Sequence, residues 1–211
     1  MQAVFALGAD GKMFRERDSG AAQAEEPVSV KPRVTAEEFW RLGEGDIRRE
    51  LVNGEVIEMP PAGAGHGGVA ARISRRLLEH VDRHGGGNVV VGEVGFVLNL
   101  SYDPERVRAP DIAFISAARL PEGQLPQGFV PGAPDLVVEV LSPSDDPADL
   151  QQKMRDWIEG GARLVWLIAP EAKTATVYRT DGSARLLREY ESLDGEDVLA
   201  GLQIPLAEVL G

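Results

Sequence analysis

Two carboxylates set in apolar runs are the residues of this sequence best placed to do chemistry. Asp111 begins the run in RAPDIAFIS, and Glu139 interrupts the run in PDLVVEVLS. A buried carboxylate is costly unless it has a partner, a proton or a metal. If the two runs are neighbouring strands, both carboxylates can point to one site. Such a pair suits Mg²⁺, which binds through one or two carboxylates and keeps several waters, and the Val140 carbonyl is a further candidate ligand.

The alternation of side chains along a strand favours a buried position for Glu139. With a period of two, Glu139 shares its face with Val137 and Leu141, and both of these are apolar. The alternatives are a solvent-facing carboxylate or one that pairs with an arginine. For Asp111 the alternative is a turn residue that hydrogen-bonds to nearby backbone.

Lys153 is the third candidate and falls on a helix predicted over 147–159. The apolar stripe of this helix has i, i+4, i+7, i+8 spacing and consists of Leu150, Met154, Trp157 and Ile158. At about 100° per residue, Lys153 lies roughly 40° from Trp157, at the edge of the stripe. Its ammonium group is expected to reach toward the sheet and to orient a water or stabilise charge on a phosphate. The alternative is a side chain that extends along the helix edge to solvent.

The elements that must position these groups follow from periodicity and turn signals. Helices are predicted over 35–42, 67–84 and 147–159, and strands over 88–99, 109–115, 135–141 and 162–169. Asn53-Gly54 and Asp181-Gly182 each separate two alternating runs and predict β-hairpins. GAGHGG, 63–68, is expected to be a flexible turn, and 197–211 to be weakly structured or a short strand and turn. The predicted fold class is α/β or α+β, with a central mixed sheet flanked by helices.

Length and composition limit the domain organisation and the class of protein. A chain of 211 residues suits one domain, predicted over 34–211, and an N-terminal arm over 1–33 that lacks a sustained period and is expected to be poorly ordered. The absence of cysteine excludes disulfides and thiolate chemistry. A net charge of −12 argues against a broad basic surface but fits a carboxylate-rich metal site. Without a signal peptide or a long apolar segment, the expected location is cytoplasmic, with no membrane partner.

Four segments resemble a known family when they are taken in order. They are ELVNGEVIEMPPAGAGH, RAPDIAFIS, PDLVVEVLSPSD and KMRDWIEGGARLVWLI, and the resemblance covers about residues 34–180. The set is similar to the Uma2 family of restriction-endonuclease-like proteins, formerly a domain of unknown function, in the PD-(D/E)xK nuclease superfamily. The resemblance implies a restriction-endonuclease-like core with a mixed four- or five-stranded sheet. It also implies hydrolysis of phosphodiester bonds in nucleic acid, DNA first, with Mg²⁺ or Mn²⁺ as cofactor.

The family motif matches this sequence at two of its three positions. The PD falls on Pro110-Asp111, and the (D/E) falls on Glu139. The usual lysine position, two residues later, is Leu141. The resemblance therefore implies that Lys153, on the following helix, supplies the missing charge.

Two further positions match the family outside this motif. Glu50 matches a glutamate in the first hairpin of the family, and His66 matches a histidine before its helix, so both are candidate site residues. The alternative for Glu50 is a surface ion pair with the adjacent arginines. The alternative for His66 is an exposed position in a glycine-rich turn.

Three functional hypotheses remain open on the sequence. The first is a metal-dependent endonuclease, for which a homodimer is expected because two-strand cleavage commonly uses two copies. The second is a binding or structural module on the same fold with a decayed site, which the acidic charge and the absent motif lysine favour. The third is a carboxylate-pair hydrolase acting on a sugar. An aromatic content of 6% argues against the third, because aromatic side chains form the platforms that bind sugars.

Overall fold

The structure, a computed structural model, describes residues 5–7, 13–15, 33–43, 47–92 and 94–211. The chain divides into two units, Met1–Lys31 and Pro32–Gly211. In the first unit, β1 (Phe5–Leu7) and β2 (Met13–Arg15) form an antiparallel pair. The rest of the predicted arm, up to residue 32, lies outside the described residues.

The second unit contains helices, two sheets and a separate strand pair. Its helices are α1 (Ala36–Arg41), α2 (Ala64–His84), α3 (Pro147–Glu159) and α4 (Leu206–Leu210). One set of strands comprises β3 (Arg48–Val52), β4 (Glu55–Met59), β6 (Phe96–Val97), β7 (Val107–Arg108) and β9 (Val130–Pro131). The other comprises β5 (Gly87–Val91), β8 (Ile112–Ser116), β10 (Leu136–Val140), β11 (Leu164–Ala169), β12 (Thr174–Arg179) and β13 (Ala184–Arg188). Strands β14 (Ser192–Asp194) and β15 (Gln203–Pro205) pair with each other.

The larger sheet is mixed, as predicted. Its strand order is β13-β12-β11-β10-β8-β5, with β10 and β11 parallel and the other neighbours antiparallel. Helix α3 connects the parallel pair, which is the usual crossover between parallel strands. The helix therefore begins and ends next to the central strands, which brings Lys153 close to β10.

The smaller sheet corrects one of the predicted strands. Its order is β4-β3-β7-β6-β9. The strand predicted over 88–99 divides into β5 and β6, because the chain passes there from the larger sheet to the smaller one. It returns to the larger sheet between β7 and β8, and β8 corresponds to the strand predicted over 109–115. Gly92, with φ of 63°, turns the chain after β5. Apolar residues recur through VVVGEVGFV, so periodicity could not reveal the change of sheet between β5 and β6.

The first hairpin forms as its turn residues predict. Strands β3 and β4 pair antiparallel from Val52–Glu55 outward. Asn53 and Gly54 have φ of 53° and 75°, which is the left-handed pair of a type I′ turn. The backbone N–H of Asn53 also donates to Asp103 at 2.7 Å. This hairpin fixes the position of Glu50 on β3.

Helix α2 begins earlier than the sequence predicts. The GAGHGG segment is not a turn, because the helix starts at Ala64 and His66 lies in its first turn. Its C-terminus is as predicted, with Gly85 at φ of 70°. Glycine disfavours helices by about 1 kcal/mol per residue. Burial of Val69 and Ile73 against the sheet outweighs that preference and extends the helix over the glycines.

The two faces of the larger sheet carry separate apolar clusters, and this decides where Glu139 points. Val138 and Val140 pack in the cluster that contains α2 residues. Val137 packs in the opposite cluster with Met154 and Trp157 of α3. By alternation, the side chain of Glu139 lies on the α3 face.

The C-terminal segment is more ordered than the sequence predicts. Strand β15 pairs with β14, and α4 packs against α2 through buried Leu206 and Val209. A five-residue helix has little more than one turn, which is too short for periodicity to identify it. Among the described residues, no helix has both the length and the apolar character needed to cross a membrane.

Candidate active site

Asp111 and Glu139 lie opposite each other at the end of the β8–β10 ladder. Val138 pairs with Ile112, so the next register position sets Glu139 across from Asp111. Directly opposed residues point to the same face, with Cβ atoms about 4.5–5.5 Å apart. Both carboxylates are buried, with 8% and 5% of their surface exposed. The structure thus brings the two acidic candidates into one site.

Three donors surround the carboxylate of Asp111. The backbone N–H of Val140 donates to Oδ2 at 2.7 Å, and Nη1 of Arg48 donates to Oδ1 at 3.0 Å. Nε2 of His66, in the first turn of α2, lies 3.1 Å from Oδ2. Although burial raises the pKa of Asp111, the His66 hydrogen bond, the Arg48 charge and the Val140 N–H together hold it at about 2. Asp111 is therefore an anion over the whole physiological range.

His66 is not exposed in a glycine-rich turn, which was the alternative for this residue. Its ring is mostly buried, and the hydrogen bond to Asp111 is the largest influence that raises its pKa. The raised pKa favours the imidazolium form. His66 therefore supplies Asp111 with a titratable hydrogen-bond donor.

Lys153 reaches the floor of the site from α3. Its Nζ lies 2.9 Å from Oε1 and 3.0 Å from Oε2 of Glu139, and 3.3 Å from Oε1 of Glu50. Burial lowers the pKa of Lys153, but the two carboxylates raise it by more, so the group stays an ammonium. The side chain does not extend to solvent, because only 14% of it is exposed.

Glu139 is held from two sides. The indole N–H of Trp157, one turn after Lys153 on α3, donates to Oε1 at 2.8 Å. Burial, and to a smaller extent the negative charge of Asp111, raise the pKa of Glu139. The positive charge of Lys153 acts in the opposite direction and favours the carboxylate.

Glu50 faces the same site and is 2% exposed, which excludes the surface ion pair. Arg108 Nη1 donates to its Oε2 at 2.6 Å, and the backbone N–H of Ala109 donates to its Oε1 at 3.1 Å. Burial raises the pKa of Glu50, whereas Lys153 and Arg108 lower it, to about 2 overall. Glu50 therefore serves as a second permanent counter-ion for Lys153.

Asp156 organises a buried ionic network that the sequence pattern did not predict. Fully buried, it accepts from Arg106 Nη1 at 2.6 Å and from Arg108 Nε and Nη2 at 2.8 and 2.6 Å. Tyr102 and Gln152 donate to its other oxygen at 2.8 and 2.7 Å. Arg108 thus links Asp156 to Glu50 and, through it, to Lys153.

A sequence signal for this network was present but ambiguous. Two arginines, Arg106 and Arg108, stand two residues apart just before the Pro-Asp pair, so they share a strand face. Asp156 follows Lys153 by three residues, which places both on one side of α3. Without the strand pairing, nothing in the sequence indicated that the two signals meet.

The site opens into a cleft of about 650 Å³. The candidate residues on its walls are Arg48, Glu50, His66, Asp111, Glu139, Val140 and Lys153. Exposed acidic residues, among them Asp145 and Asp149, line its rim. A neighbouring cavity of about 850 Å³ shares Arg48, His66 and Asp111 with the cleft.

The chemistry of the donor set fits a magnesium-type ion. Asp111 and Glu139 present hard oxygen donors on one face, and the two negative charges interact. The Val140 N–H points to Asp111, and in a strand the carbonyl of the same residue points to the same edge. The described residues contain no cluster of three or more acidic or histidine side chains spaced as a cage. Mg²⁺ needs no such cage, because one or two carboxylates, waters and substrate oxygens complete its shell.

Comparison with known proteins gives the family of the chain. The model of the Uma2 family, described as "Putative restriction endonuclease", matches residues 36–207. The chain belongs to the Uma2 family. No curated protein matches it significantly.

A solved structure matches the fold of this Uma2 chain. It is described as a putative nuclease belonging to DUF820 from Anabaena variabilis ATCC 29413, and the TM-score is 0.73 at 20% identity. The match covers 84% of the Uma2 chain and 97% of the solved chain. At this identity the likeness shows the fold, and it confirms the predicted restriction-endonuclease-like class.

Proposed function

We propose that this Uma2 protein is a divalent-metal-dependent nuclease that hydrolyses phosphodiester bonds, with DNA as the expected substrate. The position of Lys153 carries the proposal, because its ammonium group lies within 3.0 Å of both oxygens of Glu139, beside Asp111. Leu141 occupies the usual lysine position, yet the helix returns a lysine to the same cleft. This arrangement supports an active centre over a decayed one.

The roles of the residues follow from their contacts. Asp111, Glu139 and the Val140 carbonyl would hold Mg²⁺ or Mn²⁺, which when bound polarises the phosphodiester and activates a water. Lys153, held as a cation by Glu50 and Glu139, stabilises the negative charge that develops on the phosphate.

Two other groups keep the acidic residues in position. The Trp157 N–H fixes the rotamer of Glu139, and His66 fixes that of Asp111. An active centre needs such support, because catalytic groups must be held close to their productive geometry.

The test is a cleavage assay on plasmid and on single-stranded DNA with Mg²⁺ or Mn²⁺. We expect Asp111→Asn and Glu139→Gln each to lower the cleavage rate by about a hundredfold or more. Asp149→Asn is the matched control, because it removes a carboxylate from the exposed rim of the same cleft. It should cleave at nearly the wild-type rate.

Two results would contradict the proposal. Equal cleavage by wild type and Asp111→Asn would assign the activity to a contaminant. No cleavage by the wild-type protein with either metal would favour the binding or structural module.

A homodimer is part of the proposal. Strands β4 and β13 lie at the edges of their sheets, with one side unpaired in the described part of the chain. Such edges are available for pairing with a second copy, which would supply a second centre for two-strand cleavage. Light scattering of the purified protein tests this by giving the mass of one copy or of two.

A further inference from the structure

Arg48 differs from the other cations of the cleft in having a buried donor left over. Its Nε is shielded from solvent and has no hydrogen-bond partner among the described residues, and no other arginine there has such an atom. Buried polar atoms in folded proteins nearly always have a partner. Trp166 Nε1 in the core is another such atom, so the orphan Nε does not by itself indicate a ligand. It leaves the Arg48 guanidinium held by Nη1 and Nη2 alone.

Arg106, Arg108 and Lys153 of the cleft each pair with two carboxylates. Arg108 donates from Nε, Nη1 and Nη2 to Glu50 and Asp156. Arg106 donates from the same three atoms to two carboxylates and an asparagine. Lys153 lies between two carboxylates. Arg48 pairs with one carboxylate, that of Asp111, so of these four cations it has the least neutralised charge to offer an anion that enters the cleft.

The position of Arg48 suits contact with a phosphate next to Asp111. It lines both the cleft and the neighbouring cavity, where the two meet. Nη1 donates to Asp111 and Nη2 to the Ala109 carbonyl, so the planar fork already points at the candidate metal ligand. Guanidinium geometry matches phosphate oxygens in a bidentate manner.

We infer that Arg48 binds the phosphate of the nucleic-acid substrate beside Asp111, an assignment that rests on the proposed nuclease function. In the structure Asp111 holds one arm of the guanidinium, so this carboxylate and a substrate phosphate compete for it. Arg48 is thus a binding residue whose availability depends on Asp111. Arg49, the next residue on β3, points to the opposite face and donates to the Gly43 carbonyl at 3.0 Å.

The test is the affinity for a short fluorescein-labelled single-stranded oligonucleotide, measured by anisotropy in EDTA so that no metal-dependent cleavage occurs. We expect Arg48→Gln to weaken binding about tenfold and to reduce the salt dependence of log Kd by about 0.7, the value for one phosphate contact on a single strand. The matched control Arg49→Gln removes the same charge one residue away and should change Kd by less than about twofold. Arg48→Lys keeps the charge without the planar fork, so its Kd should lie between those of wild type and Arg48→Gln. It replaces Arg48→Gln as the test if the glutamine variant does not fold.

A double-mutant cycle separates phosphate binding from support of Asp111. Asp111→Asn alone should tighten oligonucleotide binding, because it releases the guanidinium. Adding Arg48→Gln should abolish that gain. A gain that survives in the double variant would reflect the lost negative charge only and would overturn the inference. Equal effects of Arg48→Gln and Arg49→Gln, or no binding by wild type, would also overturn it.

Failure of the phosphate role and failure of the proposed nuclease function give different results. If wild type cleaves DNA but Arg48→Gln binds normally, the phosphate role fails and the proposed function stands. If wild type binds through Arg48 but never cleaves, the phosphate role stands and the proposed function fails.

Discussion

Replacing Lys153 by methionine removes the cation shared by Glu139 and Glu50 and keeps most of the apolar stem. Loss of one partner from a buried ion pair usually costs 3–5 kcal/mol. The loss here should be at the low end, because Trp157 still donates to Glu139 and Arg108 still donates to Glu50. We expect the free energy of unfolding to fall by about 3 kcal/mol at pH 8.

The loss of stability should depend on pH, and the raised pKa of Glu139 determines whether it grows or shrinks as pH rises. Burial already raises the pKa of this carboxyl above its ordinary 4.5, and removal of Lys153 raises it further. A carboxyl group whose pKa is higher in the folded state than in the unfolded state does not lower the free energy of unfolding below its unfolded pKa. Between the two pKa values, the free energy of unfolding falls as pH rises. Each pH unit in that window adds about 1.4 kcal/mol to the fall. The variant should therefore be closer to wild type at pH 5 than at pH 8.

Urea unfolding followed by tryptophan fluorescence at pH 5 and pH 8 measures this difference. Lys173→Met is the matched control, because it makes the same substitution in an exposed pair with Glu189 at 2.8 Å. An exposed pair is worth at most about 1 kcal/mol, with little change between the two pH values. A Lys153→Met loss that equals the control, or that is the same at both pH values, would show that Lys153 does not stabilise the buried carboxylate of Glu139.

Three further predictions concern the support of the site. Asp156→Asn weakens a charged acceptor of five hydrogen bonds, so calorimetry should show a melting temperature lower by about 5–10 °C. The pKa values of Glu50 and Asp111, about 2, lie below their unfolded values, so their stabilisation is complete at neutral pH and is lost on acidification. Urea unfolding at pH 5, 4 and 3 should therefore show falling stability, with a smaller fall in Glu50→Gln. Gly54→Ala would set a methyl group 2.5 Å from a neighbouring side chain at a φ of +75°, and should cost more than Gly43→Ala, which has the same φ sign and open space.

Much of the fold could be predicted from local chemistry. The Asn53-Gly54 turn and the limits of α3 at Pro147 and Gly160 depend on residues adjacent in sequence, so turn and capping rules identified them. The start of α2 could not be predicted in this way. Its glycines disfavour a helix locally, and only packing against the sheet extends the helix to Ala64.

The site was predictable where it depends on periodicity. Alternation placed Glu139 on a buried face, and helical spacing set Lys153 at the edge of an apolar stripe. Strand order was not encoded locally, so the sequence could not show that Arg108 joins Glu50 to Asp156. Cross-strand ion pairs of this kind become visible only when the sheet is assembled.

The proposed metal site is tested most directly by anomalous diffraction from a crystal of the wild-type protein soaked with Mn²⁺. We expect one strong peak between the carboxylates of Asp111 and Glu139, on the side of the Val140 carbonyl, and its loss in Asp111→Asn. A peak elsewhere in the cleft, or no peak while Lys153 and Arg48 keep their contacts with the two carboxylates, would contradict it.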